Sequence, residues 1–314
     1  MNRVPSIIAC LSLLLLVAPI LVVIAEEPKI TVICTTSVLG SIVKDLAGER
    51  VKVIILASPS VCPAHYDVSP SDVEAVQKAS LILYHGMEIW LERLVETSGT
   101  SATLLKVSGA WNTLEGAIEY YERVAEILEE YLNVDTSERL EKCVEGITST
   151  AESLKKEAEA RRVGDVKVIC MVWQKPFVSW LGFEVIAEFA PPEKLSSSDV
   201  AELVEVGRSE RAMLVISNLQ SGIAHGKYIA DNIGAIHVAL TNFPDPEKGV
   251  FNLSHVFIHN AETLFRAIEE YNTKAEIRSL QRSLSTYRVL SYSLAAIALM
   301  EAVIITYLLA VRRK

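Results

Sequence analysis

The sequence is poor in cysteine, with five cysteines among 314 residues. They are Cys10, Cys34, Cys62, Cys143 and Cys170, spread along the whole chain. Thiols so few and so scattered exclude the dense disulfide framework of small secreted proteins. Cys34 and Cys170 stand inside apolar, strand-like runs, where a thiol is expected to behave as a small buried hydrophobe. Cys62 lies in a polar loop and is the cysteine that we consider as a ligand.

Positive charge is also scarce, because 30 Lys and Arg residues stand against 39 Asp and Glu residues, for a formal net charge of -9. This acidic balance argues against a nucleic-acid-binding surface. The short motifs of several enzyme classes are absent as well: there is no G-x-S-x-G, no G-x-G-x-x-G, no Walker loop and no H-E-x-x-H. We therefore expect a protein that is not an enzyme and has no nucleic-acid partner.

The amino terminus is a long apolar run, residues 6–24, behind Arg3. Small residues precede Glu26, which makes an acceptable cleavage site after Ala25. The pattern predicts a secretory signal peptide over residues 1–25. An uncleaved amino-terminal anchor is the alternative, because the apolar run is long for a signal peptide.

Residues 289–311 are apolar over about the length that crosses a bilayer, and basic residues flank them on both sides. We predict a single transmembrane helix with the basic tail, residues 312–314, in the cytoplasm and the rest of the mature chain outside the cell. Glu301 lies near the middle of this helix, where an ionisable group is costly. Two interpretations stay open: a contact with a membrane partner, or a lone carboxylic acid kept neutral.

Between these apolar segments, short β-branched runs alternate with amphipathic, helix-like stretches. This alternation predicts parallel strands covered by helices. A long, strongly charged helical pattern over residues 136–163 interrupts this alternation of strands and helices. It is typical of a helix that connects two lobes. The predicted fold class is α/β, with two three-layer parallel-sheet lobes at residues 28–135 and 164–272. A polar stalk, residues 273–288, then leads to the transmembrane helix.

Candidate ligands follow two predicted strands of the first lobe. Cys62 and His65 lie in the loop after the second strand, and His85 follows the third. Ligands in open α/β sheets bind at the carboxyl ends of the strands, and thiolate and imidazole are groups that zinc prefers. A purely structural alternative stays open for each residue. His65 could be an exposed loop histidine, Cys62 a buried thiol, and His85 an imidazole that caps a backbone group. His225, at the start of a second-lobe helix, is a weaker candidate.

Several spaced elements give the chain a family resemblance over residues 29–272. They are the run 30–37, Tyr66 with Pro70-Ser71-Asp72, the run 79–84 with Gly86 and Glu88, Trp90-Leu91, Trp111, and the run 181–186 with Pro191-Pro192-Glu193. In this pattern the chain resembles the solute-binding proteins of zinc and manganese ABC transporters. The resemblance implies two α/β lobes bridged by one long helix and a divalent cation held between them.

The resemblance also implies a ligand set of three histidines and a carboxylate, and this sequence departs from it. At the positions that align with the family's metal ligands, this sequence has Ala64 with His65 one residue later, Gly109, the stretch around Gln174, and Thr241 with Asn242. We therefore predict Cys62, His65 and His85 as metal ligands. Trp111, Gln174 and Asn242 are predicted as contacts in the cleft between the lobes.

The leading hypothesis is an extracellular, membrane-anchored solute-binding component of an ABC importer. Its cargo is expected to be a divalent transition metal, Zn²⁺ first and Mn²⁺ next, passed to a permease that works with an ATPase. Three alternatives stay open. The first is the same scaffold binding a chelated metal or organic cofactor. The second is a metal-dependent hydrolase, which needs a general base such as Asp67, Glu88 or Glu184. The third is a surface adhesion or sensor protein that has lost transport.

Overall fold

A computed structural model describes residues 30–312. The predicted signal peptide, residues 1–25, and the last two residues of the predicted tail lie outside the described residues.

The first lobe is a parallel sheet covered by helices. It contains, in chain order, β1 (Ile30–Cys34), α1 (Ser37–Ala47), β2 (Val51–Ile55), α2 (Pro70–Gln77), β3 (Leu81–Tyr84), α3 (Leu91–Ser98) and β4 (Thr103–Lys106). The strand order is β2-β1-β3-β4, and every pair is parallel. Val32, Ile33 and Cys34 in β1 are fully buried, as expected for a parallel strand with helices on both faces.

Two helices connect the lobes, α4 (Leu114–Leu132) and α5 (Ser137–Ala160). Asn133 ends α4 in the left-handed region with φ of 52°, a conformation that asparagine tolerates better than most residues. Only one side of α5 is buried, through Ile147, Ala151, Leu154 and Ala158. The predicted connecting helix at 136–163 agrees with α5 to within a few residues.

The second lobe repeats the topology of the first. It contains β5 (Lys167–Met171), α6 (Lys175–Leu181), β6 (Glu184–Phe189), α7 (Ser197–Ser209), β7 (Leu214–Asn218), α8 (Ala224–Ile233) and β8 (Ile236–Leu240). Its strand order is β6-β5-β7-β8, again all parallel. The predicted two-lobe fold is therefore confirmed. Cys34 and Cys170 are buried as predicted, and burial raises the pKa of both thiols.

The chain ends in one helix, α9 (Leu253–Arg312), which is 60 residues long. Its first part packs on the second lobe through fully buried residues such as Phe257, Ala261 and Leu264. The closing helix, the stalk and the predicted membrane span are thus one continuous element. By length and composition, α9 is the one helix among residues 30–312 that could cross a bilayer, and none of its most apolar stretch is buried.

Candidate functional site between the lobes

The two lobes meet at the loops that follow their strands. Trp111 and Asn112, after β4, bond to Trp173 and Asn242, which follow β5 and β8. Gln220, after β7, donates to the carbonyl oxygen of Pro59, after β2, at 2.8 Å. The carboxyl ends of both sheets therefore face each other, where parallel sheets place ligands, and direct hydrogen bonds close the boundary.

His85 lies on the first-lobe side of this boundary, against Trp111, and is 6% exposed. Its Nε2 atom is 2.7 Å from the hydroxyl of Thr36, and its Nδ1 atom is 3.1 Å from the hydroxyl of Tyr120. Thr36 stands between β1 and α1, whereas Tyr120 comes from α4. Three separate segments of the chain thus hold one imidazole, which explains why neither partner could be found from the sequence pattern.

The hydrogen bonds of Tyr120 indicate which ring nitrogen of His85 carries the proton. The Tyr120 hydroxyl donates its single proton to the carbonyl oxygens of Val107, at 3.1 Å, or Gly109, at 3.3 Å. It must therefore accept from His85, so Nδ1 carries the proton. Nε2 is therefore unprotonated, and its lone pair accepts the hydroxyl proton of Thr36. A neutral imidazole oriented in this way is the form that binds a metal.

Glu88 lies in the same turn as His85, and both of its carboxylate oxygens accept hydrogen bonds. Its Oε1 atom accepts from the Thr35 hydroxyl at 2.6 Å and from the His85 backbone N–H at 3.0 Å. Its Oε2 atom accepts from the Gly86 backbone N–H at 2.7 Å. Burial raises the pKa of Glu88, but these donors and the neighbouring imidazole outweigh it and hold the pKa below its ordinary value. Glu88 is therefore an ionised group that stabilises the turn.

Trp111 covers His85 and joins the lobes. Its ring stacks on the imidazole, with 4.5 Å between ring centroids and 29° between planes. Its Nε1–H group donates to the backbone oxygen of Asn242 in the second lobe at 2.8 Å. Tyr120 and Phe243 pack around the same indole. Trp111 is thus buried between lobes, at the place where the sequence predicted a cleft contact.

Amide side chains line the second-lobe side of the boundary. Asn242 donates from Nδ2 to the backbone oxygen of Trp173 at 3.1 Å, and Asn112 donates to the same oxygen at 2.9 Å. Gln174 is fully buried and donates from Nε2 to the carbonyl oxygen of Leu240 at 3.2 Å. Its Oε1 atom has no hydrogen-bond partner among the described residues. An unpaired buried acceptor is costly and calls for an explanation.

The loop with Cys62 and His65 is held in place away from His85's ring nitrogens. Cys62 is half-buried, and His65 is exposed at the end of the short 3₁₀ turn Pro63–His65. Trp90 donates from Nε1 to the carbonyl oxygen of Pro63 at 2.7 Å. Asp72 caps α2 by accepting from the backbone N–H of Ser69. These bonds fix the loop between β2 and α2 in one conformation.

Residues 30–312 contain no group of three or more His, Cys, Asp or Glu side chains arranged to hold one metal ion. Cys62, His65 and His85 are therefore not gathered into a preformed cluster. His225 has a buried Nδ1 atom that finds no hydrogen-bond partner among the described residues. His237 lies in β8 and bonds through Nε2 to the Ser217 hydroxyl at 2.9 Å.

The burial of His85 predicts a pH-dependent stability. Burial lowers its pKa from 6.5 to about 4, against the opposing charge of Glu88. In the unfolded chain the imidazole takes up a proton as the pH falls below 6.5, whereas the folded protein resists until about pH 4. The free energy of unfolding should therefore be highest above pH 6.5 and fall by roughly 3 kcal/mol towards pH 4.

Urea unfolding at pH 7 and at pH 5 measures this loss. Glu88 adds a loss in the same direction only below its ordinary pKa of 4.5. His237, whose pKa burial also lowers, contributes in the same direction between these pH values, so a His85 variant is needed to isolate His85. The His85→Gln variant should lose much less stability between the two pH values than the native chain. Equal losses in both proteins would contradict the assignment.

Comparison with known proteins agrees with the two-lobe fold and identifies the family. A family model described as ZnuA, the periplasmic component A of the zinc-uptake complex, matches residues 32–267. The chain belongs to the ZnuA family. As a member of this family it is related to substrate-binding proteins rather than to enzymes, and the resemblance found in the sequence is confirmed.

Relatives of this ZnuA-family chain carry names with different metals. A manganese ABC transporter substrate-binding lipoprotein, ScaA of Streptococcus gordonii, is 26% identical over 164 residues, which cover 44% of this chain and 53% of the relative. The iron ABC transporter substrate-binding lipoprotein MtsA of Streptococcus pyogenes serotype M1 is 26% identical over 166 residues, with the same shares of 44% and 53%. The aligned region thus spans about half the length of these relatives.

Solved structures share the fold of this family member. The periplasmic zinc binding protein TroA of Treponema pallidum matches with a TM-score of 0.66 at 17% identity, over 76% of this chain and 99% of that chain. The Mn-bound periplasmic metal binding protein of Candidatus Liberibacter asiaticus matches with a TM-score of 0.63 at 18% identity, over 75% and 98%. At such low identity these matches establish the fold alone.

Proposed function

We propose that this chain is the extracellular, membrane-anchored solute-binding component of an ABC importer for a divalent transition metal, zinc first and manganese next. The observation that carries the proposal is His85, a buried and neutral imidazole at the boundary between lobes. Its Nδ1–H group is oriented by Tyr120, so that Nε2 offers a lone pair. Membership of the ZnuA family supports a metal as the cargo.

We propose His85, Cys62 and His65 as the protein ligands of the ion. The Thr36 hydroxyl is hydrogen-bonded to the Nε2 atom of His85, and a bound ion would displace it. Cys62 and His65 follow β2, at the same edge of the sheet, and their loop would have to release the Trp90 bond to bring them closer. The unpaired Oε1 atom of Gln174 supports a cargo contact from the second lobe, as do the amide of Asn242 and the indole of Trp111.

Binding and delivery need no covalent chemistry in this proposal. The lobes separate about α5 to admit the ion and close again over it, and docking on a permease with its ATPase shifts the balance towards release. α9 would cross the membrane once, with the lobes outside the cell and the basic tail in the cytoplasm. Anchoring would keep the protein at a high effective concentration near its permease.

A second candidate is a chelated metal or organic cofactor on the same scaffold. The observation in its favour is that residues 30–312 lack a preformed group of three His, Cys, Asp or Glu ligands. Zinc sites ordinarily use about four such donors. The boundary offers aromatic and amide groups instead, namely Trp111, Asn112, Gln174 and Asn242, which suit a cargo that brings its own ligands.

Metal analysis of the full-length protein, purified in detergent without chelators, separates the two candidates. For a bare ion we expect about one zinc or manganese per chain, and calorimetric titration of the stripped protein should give a Kd of about 1 µM or tighter. Failure to bind either ion at about 100 µM, together with binding of a metal chelate, would instead favour the second candidate.

A further inference from the structure

The stalk part of α9 carries an apolar stripe on an otherwise polar surface. The exposed fractions are 49% for Ile277, 62% for Leu280, 52% for Leu284 and 68% for Tyr287. Their spacing of three, four and three residues is that of the a and d positions of a heptad, which form the contact seam of coiled coils. Four large apolar side chains in one exposed line indicate a contact surface.

The stripe faces away from the lobe on which α9 packs. Leu264 is fully buried against the second lobe, and Tyr271, seven residues later, also packs against its core. Arg278, another seven residues on, reaches the carbonyl oxygen of Gly234 in the same lobe. At 3.6 residues per turn, Ile277 and Leu284 lie about 140° and 160° around the helix axis from Leu264, and about 100° and 120° from Arg278. The chain's own lobe therefore does not cover the stripe.

The same heptad continues without a break into the predicted membrane span. Its a and d positions there include Ser291, Leu294, Ala298 and Glu301. Small residues at helix contacts allow two membrane helices to approach closely. Glu301 is expensive in a bilayer unless it has a hydrogen-bonding partner. The seam thus joins an apolar part outside the membrane to a part inside it that mixes small residues, the large apolar Leu294, Ile305 and Leu308, and Glu301.

We propose that a second copy of this chain covers the stripe, so that two α9 helices form a parallel pair through the stalk and the membrane. Two copies have the same membrane topology, so their helices run parallel and each a or d residue meets its own counterpart. Glu301 would then meet Glu301 of the second copy, and one protonated carboxyl could donate to the other. At the flanking positions Glu276 would face Gln281, and Ser283 would face Arg288, so like charges do not oppose each other.

Cysteine cross-linking in native membranes tests this pairing with the full-length chain. Cys10, Cys62 and Cys143 are first replaced by serine, and Leu280 or Leu284 is then changed to cysteine. Facing a or d positions bring the two Cα atoms within the ~7 Å limit for a disulfide. Mild oxidation should therefore convert most of the L280C or L284C protein to a species of twice the chain mass.

The matched controls are Arg282→Cys and Ser285→Cys, which lie on the same two turns but outside the seam. We expect little cross-linking at these positions. Equal cross-linking on both faces, or none at Leu280 and Leu284, would overturn the proposal. A product with another protein, such as a permease subunit, or a link within one chain to its amino-terminal apolar segment, would overturn it as well.

Glu301 provides a second measurement. Glu301→Gln keeps a hydrogen-bonding side chain and should preserve the L284C cross-link, whereas Glu301→Leu should reduce its yield severalfold. An unchanged yield in Glu301→Leu would refute the pairing of Glu301. The pairing rests on the part of the proposed function in which α9 spans the membrane. Recovery of the protein in washed membranes tests that part separately. Metal titration of the same samples reports cargo binding independently of both.

Discussion

The His85→Ala variant is expected to lose metal affinity by about 100-fold or more. His85 is the one candidate ligand that the structure already holds buried, neutral and oriented at the lobe boundary. Removal of groups that merely orient a ligand costs about 10- to 100-fold in affinity, so loss of the ligand itself should reach or exceed the upper limit. Calorimetric titration with Zn²⁺ and Mn²⁺ measures the change.

Three further variants separate ligation from damage to the fold. Tyr120→Phe removes the hydroxyl that accepts from His85 Nδ1 and should cost about 10-fold in affinity. His65→Ala should also weaken binding if His65 joins the site. His237→Ala is the matched control, because that imidazole is also bonded to a hydroxyl but lies in β8. Unchanged affinity in His85→Ala, or an equal loss in His237→Ala, would remove His85 from the ligand set.

The Trp111→Ala variant is expected to be the most destabilising single change at the boundary, by about 3–5 kcal/mol. The indole is 9% exposed and packs against His85, Tyr120 and Phe243. Its loss leaves a cavity and also removes the bond to the backbone oxygen of Asn242 in the other lobe. Urea unfolding measures the stability, and small-angle X-ray scattering measures the separation of the lobes.

A pair of variants distinguishes the joining role of Trp111 from its packing. Trp111→Phe keeps an aromatic ring but loses the Nε1–H donor, which should cost about 1–3 kcal/mol and increase the radius of gyration. Trp180→Ala is the control, since Trp180 packs with Phe177 and Phe257 within the second lobe. It should lower stability without separating the lobes. A larger lobe separation in Trp180→Ala than in Trp111→Phe would refute the joining role.

Most of the regular elements were predictable because strands and helices of α/β lobes carry strong local patterns. The alternation of β-branched runs with amphipathic stretches predicted parallel strands covered by helices, as observed in both lobes. Helix α3 and strand β4 carry weaker local patterns. Leu91–Ser98 is a short helix with charged residues, and Thr103–Lys106 is a four-residue strand with exposed ends. β4 is an edge strand whose residues are at most partly buried, so it lacks the apolar run of the inner strands.

Trp111, Gln174 and Asn242 are buried at the lobe boundary, and their role as contacts to a cargo stays a prediction. The resemblance to the family placed them there by position. Thr36, Tyr120 and Asn112 were not expected, because each reaches its partner only when distant segments meet. The roles of Cys62, His65 and His85 as ligands remain predictions.

The sequence by itself determined the two α/β lobes, the long connecting helix, the family and the apolar carboxyl-terminal segment. These features depend on local periodicity, run length and ordered motifs, which the chain displays directly. Tertiary structure alone decided the state of His85, since its neutral form and unprotonated Nε2 follow from burial and from Tyr120, 35 residues away. It also decided that the stalk's apolar stripe points away from the lobe, because that depends on which face of α9 packs against β8.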